Sequence, residues 1–384
     1  MELLRKWDCN VPTLRFAEFT DEWGKYELSH FVTRITRRNK NNESSLPLTI
    51  SAQYGLVDQI SFFNKTVASV DLSGYYLLYN GDFAYNKSYS NDYAWGAVKR
   101  LDKYEKGCLS SLYFVFRPNV NVDSDYLTHY FESSKWHKGI SNIAGEGARN
   151  HGLLNMSVDD YFATKHCLPS LPEQKKIARF FNAITRRIEI QNKIIEDLKV
   201  LKKELNYSLI GRIINGKSSN CKIEDVIDYE QPTNYIVKSD KYIENGETPV
   251  LTANKAFLLG YTIENEGVYN KSDCIILDDF TLDFKYVNFP FKIKSSAIKI
   301  LTAKKDIELR YFYEYLLFLG LTSHEHKRHY ISEIAPLPLY LPSIDEQRSA
   351  LSALNSISEK IKVEENYIIA LKAQKCFFLR AMFI

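Results

Sequence analysis

Apolar positions follow two rhythms along the 384 residues. In one stretch they recur every four then three residues: Ile177, Phe181, Ile184, Ile188, Gln191, Ile195, Leu198, Lys202, Leu205, Leu209. A second stretch does the same: Ala350, Leu354, Ile357, Ile361, Glu364, Ile368, Leu371, Lys375, Phe378, Met382. A heptad seam sustained for about four to five heptads predicts coiled-coil helices. Pro169, Pro172 and Pro342 sit at or before the first turns, where a missing N–H costs nothing. Glu173, Asp345 and Glu346 put acid near the positive helix ends. In the first stretch no glycine or proline intervenes before Gly211. About forty residues at 1.5 Å each make a rod of about 60 Å.

The two stretches are copies of one another. LPSLPEQ (168–174) matches LPSIDEQ (341–347) at an offset of 173, without a gap for about forty residues. Asn182 falls on Asn355, Ile188 on Ile361, Leu198 on Leu371 and Lys199 on Lys372. The seams also break at matching places, Gln191/Glu364 and Lys202/Lys375. Parallel, in-register helices would set Lys202 against Lys375, which is costly. Antiparallel pairing instead lets Lys202 face Glu364 and Gln191 face Lys375. The expected neighbouring layers are Leu198 on Ile368 and Ile195 on Leu371.

The other rhythm belongs to the segments between the rods, about 21–167 and 220–340. Short runs of Tyr, Phe, Val and Ile separated by Asn, Asp, Gly and Ser predict strands, as in 74–86, 110–119, 248–262 and 288–301. Helical patterns at 123–138 and 308–319 come late in each segment. The expected class is α+β: two mixed heads and two long antiparallel helices, as pseudo-twofold duplicated halves. The boundaries are 1–167 for the first head with an N-terminal segment, 168–215 for the first spacer helix, 216–340 for the second head and 341–384 for the second spacer helix.

Composition narrows the function. Charged residues are 25% and apolar residues 45%, which fits globular domains rather than disorder. No apolar run is long enough for a membrane span, and no signal-peptide core is present. Six cysteines lie singly, with no CxxC. That argues against a zinc ribbon or a disulfide framework and for a reducing, cytoplasmic setting. The net charge of +3 does not by itself announce nucleic acid. Phosphate-cradling glycine loops, an [ND]PP[YF] tetrapeptide and a PD dipeptide are missing, so handles for an ATPase, an aminomethyltransferase and a common nuclease are absent. The first rod is basic, with eleven Lys/Arg against five Asp/Glu over 172–217. Two heads held apart by a rod pair suit a long anionic target, since about 60 Å equals roughly eighteen base-pair steps.

The whole chain resembles the specificity subunit of type I restriction–modification systems. The segments that carry the resemblance are VPTLRFAEFTDEW (11–23), SAQYGLV (51–57), GDFAYNKS (81–88), GARNHGLLN (147–155) and LPSLPEQKKIA (168–178). In the second half they are YEQPTNYIV (229–237), TPVLTANKAFLLGYT (248–262), FPFKIKSSAIKIL (289–301), HKRHYISEIAPL (326–337) and LPSIDEQ. The resemblance implies that each head is a target recognition domain reading one half of a bipartite DNA site, while the helices set the unread gap. It implies a non-catalytic chain that binds no cofactor and docks two modification subunits. Those subunits use S-adenosylmethionine to methylate adenine at N6. Restriction subunits using ATP and Mg complete the complex. The alternative is a coiled-coil scaffold whose two heads bind ligands other than DNA.

Candidate DNA contacts follow from side-chain chemistry. Arg149, Asn150 and His151 lie among glycines, and Lys327, Arg328 and His329 take the corresponding place in the second head. Arg reads guanine and Asn or Gln reads adenine. Gln53, Tyr54, Asn86, Lys87, Asn254 and Lys255 fall in turns between strands. Lys285, Lys292, Lys294, Ser295 and Ser296 flank a strand-like run, whose alternation puts Lys292 and Lys294 on one face. His324, His326 and His329 lack the company a metal needs. Asp278, Asp279, Asp283 and Lys285 read more simply as a turn than as a nuclease cluster.

Overall fold

A computed structural model describes residues 11–384 except 66, 91–92, 145–151, 255, 324 and 326. The chain forms two compact units, Met1–Asn192 with Tyr367–Ile384, and Lys193–Asn366. Both cut points fall inside the long helices Leu171–Ile214 and Ile344–Ala381. At 44 and 38 residues these helices are about 66 and 57 Å long at 1.5 Å per residue.

In the first unit, Gly24–Glu27 pairs antiparallel with Lys165–Leu168 and closes the head at its base. A short helix, Leu28–Phe31, leads into Val32–Arg34, the edge of a four-stranded antiparallel sheet. That sheet continues through Phe114–Pro118, Phe83–Asn86 and Ala97–Arg100. Its central strands are apolar on both faces for a physical reason. Phe83, Tyr85, Phe114 and Phe116 enter one core, which contains Tyr126, Phe181 and Phe383. The alternate residues Ala84 and Val115 enter a second core beneath the hairpin Leu48–Ser51/Gly55–Asp58. Alternation assigns each side chain to a face, and both faces are covered.

The second unit has the same plan. Cys221–Lys222 pairs with Pro338–Leu339, and the short helix Ile223–Val226 follows. The four-stranded sheet runs Ile227–Glu230, Ile298–Ala303, Cys274–Asp278, Phe284–Val287. Ile275 and Leu277 face one core, Cys274 and Ile276 the other. In sequence the heads match in outline alone. In structure the closing strand pair, the short helix, the sheet order and the following helix all recur.

That following helix is Ser124–Glu132 in the first head and Leu309–Leu319 in the second. The expected helix over 123–138 stops at Glu132, where Ser133 Oγ donates to the Tyr130 carbonyl at 2.6 Å, and a second helix starts at His137. Local side-chain-to-backbone bonding of this kind competes with helix continuation.

The long helices run antiparallel within each unit. In the first, the Phe180 and Phe378 rings meet at 4.9 Å and Arg187 lies 5.3 Å from the Tyr367 ring. In the second, Lys199 pairs with Glu365 at 2.6 Å, and Leu209 and Ile213 share a cleft with Glu346 and Ala350. The Phe180–Phe378 contact and the cleft shared by Leu209 and Ala350 lie about one heptad from the expected register of Lys202 on Glu364 and Gln191 on Lys375, while Lys199–Glu365 lies closer to it. A heptad shift keeps an a position opposite a d position in every layer but sets apolar residues opposite Gln191, Lys202, Glu364 and Lys375, so the seam geometry alone allows both registers. The expected choice rested on the lysines, and their ion pairs are made elsewhere, as described below. Cys167 is disulfide-bonded, where single, scattered cysteines argue for a reducing setting without a disulfide framework; Cys108, Cys221, Cys274 and Cys376 are free thiols.

Candidate nucleic-acid interface

The repeated LPS-x-x-EQ motif fastens each head to a long helix. The Gln174 side chain is 2% exposed. Its Oε1 accepts the Asp123 N–H at 2.8 Å, and its Nε2 donates to the Pro169 carbonyl at 2.9 Å. Asp123 is the N-cap of the first head helix. Gln347 is fully buried and does the same work. It accepts from the N–H of Glu308, the N-cap of the second head helix, at 2.8 Å and donates to Pro342 at 3.0 Å. The repeated glutamate diverges: Glu173 is buried and takes a two-pronged bond from Arg15, each prong 2.8 Å, whereas Glu346 bonds Ser343.

The seam lysines reach the same head helices. Lys202 Nζ lies 2.8 Å from Glu314, whose side chain is 1% exposed. Asn206, one turn along, donates to the other Glu314 oxygen at 2.9 Å. In the first unit Lys375 lies 2.8 Å from Glu132, which also meets His129 at 3.1 Å. Burial pushes the Glu132 carboxyl up, but the His129 hydrogen bond and the Lys375 charge outweigh it and hold the group at about 2. These four side chains were legible as a repeat, but their partners were not.

The hairpin tips present the candidates most openly. Gln53 and Tyr54 fill the turn between Leu48–Ser51 and Gly55–Asp58, which closes on Gly55 at φ +82°. Both are exposed, Tyr54 by 61%. Beside them the helix Gln59–Phe63, capped by Asp58, leaves Ile60, Phe62 and Phe63 exposed, with the Phe62 ring 6.4 Å from Tyr54. Sequence reasoning missed these aromatics, and the adjacent phenylalanines after a capping aspartate were the available signal. In the second head Asn254 is exposed in the turn between Thr248–Leu251 and Leu258–Thr262. Its Oδ1 accepts the Ala256 N–H at 3.2 Å. The Phe257 and Phe289 rings stand 6.5 Å apart close by. Lys255 lies outside the described residues.

Asn86 and Lys87 end a central strand and are partly buried. Asn86 Oδ1 accepts the Ser88 N–H at 2.9 Å, and Lys87 Nζ sits 5.3 Å from the Phe114 ring. Arg149, Asn150 and His151 lie outside the described residues. The chain that follows them is fixed beside this strand end: Leu154 N–H donates to the Lys87 carbonyl at 2.9 Å and Tyr89 N–H to that of Gly152 at 3.0 Å.

Two expected contacts are withdrawn from the surface. Lys292 is 1% exposed, with its ammonium 3.0 Å from Glu264 and donating to the Glu266 carbonyl at 2.6 Å. A buried cation needs such partners, so this lysine holds a loop and faces no ligand. His329 is 3% exposed. Its Nδ1 lies 2.8 Å from Glu333 and its Nε2 2.7 Å from Ser323 Oγ. The Glu333 bond raises its pKa. Asp279, itself buried, accepts the N–H groups of His329 and Tyr330 at 3.1 and 2.7 Å. The acids once readable as a nuclease cluster are thus loop anchors, Asp278 accepting the N–H groups of Phe280 and Thr281. His324 and His326 lie outside the described residues. No metal-holding group occurs among the described residues.

The rest remain partly or fully exposed. Lys294 pairs with Asp240, and Lys327 with Glu325 and Glu333 at 2.6 and 2.8 Å. Arg328 is half exposed over the Phe280 ring, with Asp279 at 3.8 Å. Lys285 lies on the edge strand Phe284–Val287. Ser295 Oγ accepts the Ala297 N–H at 3.1 Å, and Ser296 is exposed in the same turn.

No family model matches the chain. Over 139 residues it is 40% identical to the EcoR124I/EcoR124II type I restriction enzyme specificity subunit of Escherichia coli. That stretch covers 35% of this chain and 34% of the relative, about a third of its length. The fold matches the type I restriction–modification S subunit from M. genitalium with a TM-score of 0.56, at 15% identity, over 97% of this chain and 99% of that one. A chain from another solved type I R-M system gives 0.53 at 16% identity, over 93% and 96%. The chain therefore has the S-subunit fold along nearly its whole length.

Proposed function

We propose that this chain is the DNA-recognition subunit of a type I restriction–modification complex. The recognition domains are 1–167 and 216–340, and the spacers 168–215 and 341–384. Each head reads one half of a bipartite double-stranded site, and the helices set the gap between the halves. The observation that carries this reading is the repeated fastening, Gln174 with Lys375 and Gln347 with Lys202. It joins two heads of one plan, but of different surface, to one duplicated frame. A single-function binding module would not need its frame twice.

The chain then supplies contacts, not chemistry. Exposed Gln53, Tyr54, Asn254 and Arg328 have the side chains that reach base edges, and Lys87, Lys285, Lys294 and Lys327 suit phosphates. Asn86, Ser295, Ser296 and, from outside the described residues, Arg149, Asn150, His151 and Lys255 complete the candidate set. Methyl transfer to adenine N6 belongs to two modification subunits carrying S-adenosylmethionine, and ATP- and Mg-dependent cleavage to restriction subunits. No helix among the described residues is long and apolar enough to cross a membrane, and the proposed setting is the cytoplasm. Long-read mapping of N6-methyladenine in cells expressing the chain with its modification subunit tests this. One motif of two short half-sites around a fixed gap is expected. Methylation without such a motif contradicts the reading.

A further inference from the structure

We infer that Gln174, Lys202, Gln347 and Lys375 are positioning residues that set the angle at which each head meets its half-site. The inference rests on the DNA-recognition reading just given. Each head helix is gripped at two separate points, its N-cap and a carboxylate further along, and the two grips come from different long helices. In the second unit, Gln347 of one long helix holds the N-cap of Leu309–Leu319, and Lys202 of the other holds Glu314 further along. In the first unit, Gln174 holds the N-cap of Ser124–Glu132 and Lys375 holds Glu132 at its end. Two separated grips fix orientation, which one cannot.

The grips also account for which side chains recur. Lys202 and Lys375 interrupt an apolar seam at equivalent points, 173 residues apart. A seam lysine that served only its own coiled coil would be replaced at little cost by an apolar residue. Here each ammonium is largely covered, with its side chain 19% and 15% exposed, and directed to a head carboxylate. The glutamine amides are equally committed: each accepts from a helix N-cap and donates to the proline before its own helix. A base-reading side chain must sit within about 0.5 Å and 10–20° of its productive geometry. A head that rocks on its seat therefore loses discrimination before it loses affinity for phosphates.

The test uses the full chain co-expressed with its modification subunit and reads methylation at every genomic site. Wild type assigns the motif, and a swap of residues 216–340 identifies the half-site of the second head. The variant Lys202→Met with Gln347→Leu is then compared with Lys375→Met with Gln174→Leu. Single-mismatch discrimination, ordinarily about tenfold or more per base pair, should fall to about threefold or less in the half-site of the loosened head alone. The swapped pair Lys202→Glu with Glu314→Lys should recover part of it. Lys202→Met alone leaves Asn206 on Glu314 and is read the same way if the double variant fails to co-purify. A uniform loss of methylation with unchanged mismatch ratios overturns the inference, as does relaxation in the opposite half-site. An absent bipartite motif in wild type would instead overturn the recognition reading itself.

Discussion

Replacing Lys375 by Met should loosen the first head helix by an amount that depends on pH. The Lys375 ammonium lies 2.8 Å from Glu132, whose side chain is 29% exposed. Glu132 ordinarily titrates near 4.5 and is held at about 2, because the His129 bond and the Lys375 charge outweigh the upward push of burial. A depressed carboxylate pKa means that the unfolded state binds more protons between these values. The stabilisation is therefore full above about pH 4.5 and is lost as pH falls toward 2. The shift sets a ceiling of about 3 kcal/mol. Solvent screening at a carboxylate nearly one-third exposed reduces this to roughly 1–2 kcal/mol. Methionine keeps the apolar stem and removes the charge, and His129 remains. Hydrogen exchange of the 124–132 amides, corrected for intrinsic rates, should report an opening free energy lower by about 1 kcal/mol or more at pH 7. The deficit should shrink as pH falls below about 4 and approach zero only below about pH 2, where Glu132 is protonated in the native state as well. In a cycle with Glu132→Gln the two substitutions should couple by about 1 kcal/mol. Equal protection in variant and wild type at pH 7, or a deficit that does not change with pH, would refute the ion-pair account.

Other outcomes follow from the same geometry. Arg15→Ala strands the buried Glu173 carboxylate and should destabilise the first unit by about 3 kcal/mol, read as a lowered urea midpoint. Tyr54→Ala should leave stability within about 0.5 kcal/mol, because the ring is exposed. It should weaken DNA binding several-fold in a fluorescence-anisotropy titration of the assembled complex. Lys199→Glu breaks an exposed pair with Glu365 and should shift unfolding by no more than about 0.5 kcal/mol. Affinity of the complex for DNA should fall steeply with salt, and each lost phosphate-contacting lysine should reduce the log–log slope by about 0.9.

The long helices were legible because a 3.5-residue rhythm kept up over tens of residues fits a supercoiled helix pair and little else. Their antiparallel sense was legible too, from Lys202 and Lys375. The register was not, because a seven-residue shift still keeps a opposite d in every layer, and the lysines that seemed to fix it answer to Glu314 and Glu132 on the heads. Turns were read well where a glycine closes them, as at Gly55 beside Gln53 and Tyr54. Burial of charged residues was read poorly. Lys292 looked surface-bound by alternation, yet both of its faces are covered and Glu264 offsets its charge. His329 looked free in a basic run, yet Asp279, 50 residues away in sequence, pulls its backbone inward. Such partners come from other strands, and no local pattern names them. The shared plan of the heads was hidden for a related reason: strand order persists while loop lengths and side chains change.

The most direct test of the central claim is a head exchange. Residues 21–167 are replaced by the equivalent segment of another S-fold protein, and N6-methyladenine is mapped in cells carrying the modification subunit. The account predicts that one half-site changes while the other half-site and the gap length stay as in wild type. A motif that changes in both halves, or in neither, would contradict it.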